Sequence, residues 1–192
     1  NPATGKVTAR VDFASPELID HGVKVAKKAQ EQWAQASLAK RVQVLFAFRE
    51  ILNARKEEVA KLITAEHGKV LSDALGEVTR GLEVVEFACG IPHLLKGGYS
   101  EGASTNIDVY SIRQPLGVCA IISPFNFPAM VPMWFFPIAI AAGNAVIIKP
   151  SEKDPSTINL IAEFWKEAGL PDGVFNVIHG DKVAVDSLLA HP

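Results

Sequence analysis

The sequence lacks the residues and motifs on which several protein classes depend. Only two of its 192 residues are cysteine, too few for a disulfide framework, so we expect a reducing compartment. That compartment is the cytoplasm, or the mitochondrial matrix in a eukaryote. No G-x-G-x-x-G motif follows an apolar run, and no G-K-[ST] motif occurs. A dinucleotide, if one binds, must therefore be held in another way.

The sequence also lacks an excess of charge and any cluster of metal ligands. The formal net charge of -2 gives no reason to expect a nucleic acid or a membrane surface as partner. The histidines are not spaced with Cys or carboxylates as metal ligands are, so no metal site is expected. No signal-peptide pattern opens the chain. The long uncharged run 125–142 contains several prolines and lies between predicted strands, which favours a buried helix over a membrane span.

The most informative stretch predicts a strand, a helix and a second strand. Residues 118–122 (VCAII) and 145–148 (AVII) are short apolar runs of the kind found in fully buried parallel strands. Between them, residues 128–142 predict one buried crossover helix, with Pro at its start and Gly143 just past its end. Polar segments follow both strands. Parallel sheets bind ligands at this carboxyl edge, so we expect the functional site there.

The rest of the chain divides into a helical front, a ribbon and a further helix–strand–helix segment. Residues 6–11 alternate weakly and predict an edge strand, and residues 107–113 alternate as in an antiparallel ribbon. Ser15 and Ser37 are predicted N-caps of two early helices, and Asp154 of a later one. Other helices are predicted over 56–66, 70–89 and 182–190, and a third strand over 176–179. This order predicts an α/β fold containing part of a doubly wound parallel sheet.

Several motifs, in this order and spacing, resemble the aldehyde dehydrogenase superfamily over essentially the whole chain. Each motif alone is weak, and the combination is specific. Within the superfamily, Phe-Asn at 125–126 in place of Trp-Asn, and residues 80–88 (RGLEVVEFA), resemble the methylmalonate-semialdehyde dehydrogenase group. The motifs of the superfamily are residues 1–5 (NPATG), 124–128 (PFNFP), 143–144 (GN), 149–152 (KPSE) and 169–177 (GLPDGVFNV).

The resemblance implies an aldehyde-dehydrogenase-like fold and an NAD-dependent reaction on a small aldehyde. Members of this group are CoA-acylating enzymes of valine catabolism. They convert malonate or methylmalonate semialdehyde to acetyl-CoA or propionyl-CoA, with NAD reduction and loss of CO2, so coenzyme A is a co-substrate. The resemblance also implies that residues 1–192 are the N-terminal part of the NAD-binding domain, without the catalytic domain. Residues 99–114 would then form part of an oligomerisation ribbon in a homodimer or homotetramer.

Five residues match cofactor-binding positions of the superfamily. Lys149 and Glu152 match the pair that grips the adenosine ribose of NAD. A carboxylate there accepts hydrogen bonds from the ribose hydroxyls and repels a 2′-phosphate, which favours NAD over NADP. The alternative for this pair is an exposed ion pair at a strand end. Ser123 and Phe125 match positions whose backbone borders the cofactor, and Lys153 is expected on the adenosine side.

Two further residues match positions that act on the aldehyde. Asn126 matches the Asn whose side-chain amide helps bind the aldehyde oxygen, where a neutral donor stabilises a developing negative charge. An alternative role for Asn126 is to cap the helix that follows. Arg80 is a candidate to bind the carboxylate of a dicarboxylic semialdehyde through its guanidinium. The alternative for Arg80 is an exposed ion pair with Glu77 or Glu83.

The two cysteines, Cys89 and Cys119, lie in apolar surroundings and neither matches the nucleophilic Cys of the superfamily. We therefore expect no dehydrogenase activity from these 192 residues alone, because thiol addition to the aldehyde requires that Cys. Two other functions remain open. A hydrolytic aldehyde dehydrogenase would release a free acid, and a non-catalytic half-domain would bind a nucleotide or a partner protein.

Overall fold

The central element of the molecule is a short parallel sheet. The computed structural model describes all 192 residues. Its three-stranded sheet has the order β3-β4-β5, and both neighbouring pairs are parallel. The strands are β3 (Val118–Ile122), β4 (Ala145–Lys149) and β5 (Phe175–Val177). The predicted parallel unit is therefore confirmed, with β5 beginning one residue earlier than predicted and ending two residues sooner.

Nine helices and an antiparallel ribbon complete the chain. The ribbon strands are β1 (Tyr99–Ser104) and β2 (Ile107–Tyr110). The helices are α1 (Pro16–Gln35), α2 (Leu38–Ala54), α3 (Lys56–His67), α4 (Leu71–Cys89), α5 (Ile91–Leu94), α6 (Met130–Met133), α7 (Phe136–Ala141), α8 (Ser156–Glu167) and α9 (Lys182–Leu189). No helix combines the length and the apolar character that crossing a membrane requires. The predicted α/β fold class is confirmed.

The sheet is covered on both faces, and β4 shows why its sequence is apolar throughout. All five residues of β4 are buried. Val146 and Ile148 belong to the main core, together with side chains from α2, α3, α4, α7 and α8. Ala145 and Ile147 belong to a smaller core with residues of α1 and α9. Successive side chains of a strand point to opposite faces, so a strand with two covered faces needs apolar residues at every position.

The helical front begins and ends largely where local signals place it. The hydroxyl oxygens of Ser15 and Ser37 accept hydrogen bonds from the backbone N–H groups of Leu18 (3.3 Å) and Lys40 (3.2 Å). Both serines are therefore N-caps, as predicted. Helix α3 ends at His67, and the next residue, Gly68, has a φ of 91° in the left-handed region. The residue after that turn, Lys69, donates a hydrogen bond to the carbonyl of Asn126, in the loop that follows β3.

The predicted crossover helix is wrong in one respect, because it forms two short helices. Helix α6 ends at Met133 and α7 begins at Phe136, and Trp134 and Phe135 between them are half-exposed. Pro137 has no N–H to donate to residue 133, and its ring would clash with the carbonyl of that residue. A proline in a helix interior kinks or breaks it, and here the chain forms two helices.

Two predictions about strands are also corrected. Residues 6–11 form no strand and are mostly exposed. Strand β3 is not fully buried, since Ala120 and Ile122 are exposed. The physical reason is its place at the edge of the sheet, where one side has no strand neighbour. The ribbon prediction is confirmed in its antiparallel pairing, and every residue of β1 and β2 is exposed.

Candidate active and cofactor site

The loops that follow β3, β4 and β5 meet at the carboxyl edge of the sheet. The parallel ladder continues past the strands. The backbone N–H of Ser123 donates to the carbonyl of Lys149 (3.1 Å), and the N–H of Ile178 donates to the carbonyl of Ile148 (2.9 Å). The segments that carry the predicted site residues are therefore held side by side, as expected for a doubly wound sheet.

Lys149 extends from the end of β4 into this edge and is only 3% exposed. Its Nζ donates to the carbonyls of Pro150 (2.6 Å) and Gly180 (3.0 Å). The carboxylate of Glu152, which is exposed, lies 3.6 Å away. The ion pair of the alternative is therefore present, but it is exposed only at Glu152, because the Lys149 ammonium is buried and also bound by backbone carbonyls. An ammonium has three donors, so one donor remains for Glu152 or for a ligand that lies beside it.

The hydroxyl of Ser123 supplies a second unused polar group near Lys149. Ser123 is buried and its Oγ has no hydrogen-bond partner. Buried hydroxyls are normally hydrogen-bonded, so an orphaned one at this edge of the sheet is a candidate to bind a polar ligand. Together, a buried ammonium with a free donor, an exposed carboxylate and an unpaired hydroxyl suit the hydroxyls of a nucleotide ribose. The donor set fits a dinucleotide such as NAD.

Phe125 and Lys153 come together beside Glu152. The Nζ of Lys153 lies 4.2 Å from the centroid of the Phe125 ring, and His67 stacks on the same ring at 6.3 Å. Phe125, Glu152 and Lys153 line one cleft of about 920 Å³ with residues of the N-terminal segment. The structure thus brings three of the five predicted cofactor residues into a single cleft, while Ser123 and Lys149 are buried and do not line it.

Asn126 lies beside this cleft with an exposed side chain. Its amide makes no hydrogen bond within the chain. The alternative that Asn126 caps the following helix is wrong, because a different residue fulfils that function. The carboxylate oxygen Oε1 of Glu77 accepts from the backbone N–H groups of Ala129 (2.8 Å) and Met130 (3.1 Å) at the start of α6. The Asn126 amide is therefore free to donate to a substrate oxygen.

The sequence indicated Glu77 only as an alternative partner of Arg80, and it gave no role to Lys69. Glu77 is completely buried, and its Oε2 accepts from Lys69 Nζ at 2.6 Å. The signal that could have revealed Glu77 is its position on the apolar face of α4, between the buried residues Ala74 and Gly81. A carboxylate on a buried face needs a partner, so its position predicts a specific interaction.

Arg80 lies on the same helix, with its guanidinium exposed at one side. Its Nη1 lies 3.9 Å from the Sδ of Met130, which follows Asn126 by four residues. No carboxylate lies within 4.0 Å of it, so the alternative ion pair with Glu77 or Glu83 is wrong. Its guanidinium donors remain available to a carboxylate ligand, although the structure gives no direct contact between Arg80 and Asn126.

The predicted N-cap Asp154 is corrected as well. Asp154 is 1% exposed, and neither of its carboxylate oxygens has a hydrogen-bond partner. Burial, followed by the nearby carboxylates of Glu66 and Glu77, raises the pKa of Asp154 to about 7. Helix α8 is instead capped by Glu66, which accepts from the backbone N–H (3.0 Å) and the hydroxyl (2.6 Å) of Ser156. Asp154 thus adds a proton-binding group to the site that motif reasoning did not find.

The two thiols do not have the surroundings of a nucleophile. Burial raises the pKa of both Cys89 and Cys119, so the thiolate form is disfavoured. No group of three or more His, Cys, Asp and Glu side chains is arranged to hold a metal ion.

Comparisons with known proteins agree with this arrangement. The chain matches the aldehyde dehydrogenase family over residues 1–192. It is 52% identical over 192 residues to malonate-semialdehyde dehydrogenase of Pseudomonas aeruginosa, covering 39% of that protein. It is 46% identical over 188 residues to the acylating mitochondrial methylmalonate-semialdehyde dehydrogenase of Arabidopsis thaliana, covering 98% of this chain and 31% of that protein.

Solved structures give the same result. A structure assigned as methylmalonate-semialdehyde dehydrogenase of Sinorhizobium meliloti 1021, complexed with NAD, superposes with a TM-score of 0.98 at 52% identity. The match covers 100% of this chain and 39% of that one. An NADP-dependent enzyme of E. coli superposes with a TM-score of 0.96 at 28% identity, covering 100% of this chain and 40% of that one. The chain therefore spans about two-fifths of the length of these relatives. Because the family match extends over every residue, the chain belongs to the aldehyde dehydrogenase family.

Proposed function

We propose that these residues are the N-terminal, NAD-binding part of a CoA-acylating malonate- or methylmalonate-semialdehyde dehydrogenase. The observation that carries the proposal is 52% identity, over the whole chain, to an enzyme named malonate-semialdehyde dehydrogenase. The reaction oxidises the semialdehyde and yields acetyl-CoA or propionyl-CoA with loss of CO2. The nucleophilic Cys of this reaction would lie in the part of the enzyme outside these 192 residues.

Lys149 and Glu152 are proposed to hold the adenosine ribose of NAD, with Ser123 nearby. The chemistry that NAD supplies when bound is acceptance of a hydride from the carbon that is oxidised. The buried ammonium of Lys149 donates to a ribose oxygen, and the exposed carboxylate of Glu152 accepts from ribose hydroxyls. A 2′-phosphate would place negative charge against Glu152, which disfavours NADP. The NAD in the Sinorhizobium meliloti structure supports this choice.

Asn126 is proposed to bind the oxygen of the aldehyde. When a nucleophile adds to a carbonyl, the oxygen gains negative charge, and a fixed donor beside it lowers the barrier. The Asn126 amide is exposed and has no partner in the chain, so it can donate without first breaking a hydrogen bond. An amide is neutral, so it stabilises the charged oxygen without binding the uncharged aldehyde too tightly.

Arg80 is proposed to bind the free carboxylate of the semialdehyde. Malonate and methylmalonate semialdehydes carry such a carboxylate, and a guanidinium binds it through two parallel hydrogen bonds. Two observations support this role: Arg80 has no carboxylate partner in the chain, and it contacts Met130 in the helix that follows Asn126. Acylation of coenzyme A is supported by the name of the Arabidopsis thaliana relative, which is called acylating.

The complete enzyme tests the proposal directly. Intact mass of the purified protein is measured first, followed by NADH formation with each semialdehyde, with and without coenzyme A. CoA-dependent NADH formation by a protein much larger than 20.7 kDa, with a thioester found by mass spectrometry, supports the proposal. A free acid as product would instead indicate the hydrolytic alternative. A natural protein of 20.7 kDa without turnover would indicate the non-catalytic module and overturn the proposal.

A further inference from the structure

We propose that Lys69 and Glu77 are positioning residues that hold the backbone of Asn126 in the orientation that catalysis needs. The inference rests on the proposed function of Asn126 as the donor to the aldehyde oxygen. It assigns a role to two residues that bond to each other and to the backbone on either side of Pro128.

Lys69 fixes the residue itself. Its Nζ donates to the backbone carbonyl of Asn126 at 2.7 Å, and this is the only hydrogen bond that Asn126 makes within the chain. The same ammonium lies 4.5 Å from the centroid of the Phe127 ring, so the neighbouring residue is held as well. Without Lys69, the carbonyl of Asn126 would have no partner in the protein and the peptide would be free to rotate.

Glu77 fixes the chain on the other side of Pro128. Its Oε1 accepts from the N–H groups of Ala129 and Met130, which open the four-residue helix α6. Its Oε2 holds the ammonium of Lys69 at 2.6 Å. In each of these hydrogen bonds the donor or the acceptor is charged. Such hydrogen bonds are shorter and stronger than those between two neutral groups. One carboxylate therefore joins both anchors of the Asn126 loop into a single unit.

Burial explains why this pair acts as a unit. Glu77 is completely buried and the side chain of Lys69 is 11% exposed. Removal of one partner leaves an uncompensated charge in a dry site, so the remaining group must move or recruit water. That movement would displace Asn126. A displacement of about 1 Å at a catalytic group can lower the rate on the order of a hundredfold.

The pair is tested by variants of the complete enzyme: Lys69→Met, Glu77→Gln, Lys69→Arg and each of the first two combined with Asn126→Ala. Lys69→Met and Glu77→Gln are expected to lower kcat at least tenfold and to leave the KM for NAD within about twofold. Lys69→Arg keeps the charge and hydrogen-bond donors but not the compact shape of the ammonium, so its kcat should lie above that of Lys69→Met and below that of wild type. The matched control is Glu86→Gln, which removes an exposed carboxylate of the same helix that pairs with Arg49, and it should leave kcat unchanged.

The combined variants distinguish positioning from general stability. If Lys69 and Glu77 act through Asn126, their substitution in the Asn126→Ala enzyme should lower kcat by less than about twofold further. A full tenfold further loss would overturn the inference, as would wild-type kcat in both Lys69→Met and Glu77→Gln. Should Glu77→Gln fail to fold, Lys69→Met carries the same test. Wild-type kcat in Asn126→Ala alone would overturn the proposed function of Asn126, a result distinct from wild-type kcat in the two positioning variants.

Discussion

The carboxylate of Glu66 in α3 accepts hydrogen bonds from both the backbone N–H and the hydroxyl of Ser156, which opens α8. The two residues are 90 positions apart in the chain. A carboxylate at a helix N-terminus satisfies free N–H groups and interacts favourably with the helix dipole. These hydrogen bonds join α3 to α8. Glu66 and Ser156 also line the cleft that contains Phe125, Glu152 and Lys153.

Loss of this cap should destabilise the protein. Substitution Glu66→Ala leaves the first turn of α8 without its acceptor, and caps of this kind contribute on the order of 1–2 kcal/mol. Denaturant unfolding of the 192-residue chain is the measurement. The control is Glu57→Ala, which removes an exposed carboxylate from the first turn of α3, 3.8 Å from Lys61. Its interactions with the helix dipole and with Lys61 are worth less than about 1 kcal/mol, so its midpoint should fall less than that of Glu66→Ala. Equal midpoints for the two variants would contradict the capping role of Glu66.

Asp154 should make stability fall as pH rises from about 4 to about 7. Its pKa is raised from 3.8 to about 7, so over that window the folded state binds a proton that the unfolded state has released. Stability therefore decreases with rising pH. Each pKa unit corresponds to about 1.4 kcal/mol, so the full effect is at most about 4 kcal/mol. Asp154→Asn, which is isosteric with the protonated carboxyl, should be more stable than wild type at pH 8.

The comparison at low pH supplies the control for Asp154. Near pH 4 the folded wild type already carries the proton, so the free energies of unfolding of wild type and Asp154→Asn should converge there. Unfolding is followed by denaturant titration at pH 4, 6 and 8. An advantage of the Asn variant that is equal at all three values would show that ionisation of Asp154 is not its cause.

Local signals account for most of the elements, and long-range bonds account for what sequence reasoning missed. Serines that precede the apolar repeats of amphipathic helices predicted the starts of α1 and α2, and a run of β-branched residues predicted β4. Hydrogen bonds of Glu66, Glu77 and Lys69 join residues that lie 50 to 90 positions apart in the sequence. A local sequence pattern does not show which residues pair over such distances. Asp154 illustrates the error that results. It has the composition and position of an N-cap, yet a carboxylate from another helix already occupies the N-terminus of α8.

The candidate site shows the same difference between residues that motifs identify and residues that act through long-range contacts. Motif resemblance located Asn126, Lys149 and Glu152, and the structure places their segments at one edge of the sheet. Sequence motifs did not identify the residues that hold these segments in place. Arg41, for example, is buried and donates to backbone carbonyls of Ala36 (3.0 Å) and Ala141 (3.3 Å) at the ends of α1 and α7. Its position in an amphipathic helix gives no sign of that function, because the carbonyls belong to distant segments.

The packing of α4 against α6 should depend on the absence of a side chain at Gly81. A Cβ there would lie 2.2 Å from Cε and 3.0 Å from Cβ of Met133. Because Met133 is fully buried, Gly81→Ala should destabilise the protein by about 1–3 kcal/mol, as overpacked cores do. Gly76→Ala on the same helix meets only the flexible end of Arg80 at 3.6 Å. It should be neutral or stabilising by up to about 1 kcal/mol, because Ala favours helix. If the denaturant midpoint rises in both variants, the close approach of Gly81 to Met133 is contradicted.

Glu152 should control the choice between NAD and NADP in the complete enzyme. The variant Glu152→Gln keeps the size of the side chain and removes its charge, so ribose binding weakens while repulsion of a 2′-phosphate disappears. We expect the KM for NAD to rise about tenfold and the ratio of kcat/KM for NAD over NADP to fall by a similar factor, as loss of a charged hydrogen bond predicts. Glu167→Gln, an exposed carboxylate that pairs with Arg55, is the control. An unchanged NAD over NADP ratio would exclude Glu152 from the ribose site.

The ribbon β1–β2 is proposed to pair with a second copy of the protein. All of its residues are exposed, including Tyr99, Val109 and Tyr110, and its outer strand edges have no neighbour in the chain. Two-stranded ribbons are marginal in water, and exposed apolar edges associate with other strands. The 192-residue chain should therefore form dimers or larger species in size-exclusion chromatography with light scattering. Val109→Lys places a charge on the ribbon and should shift the distribution toward monomer. A folded monomer of the wild-type chain at high concentration would exclude the ribbon as an association surface.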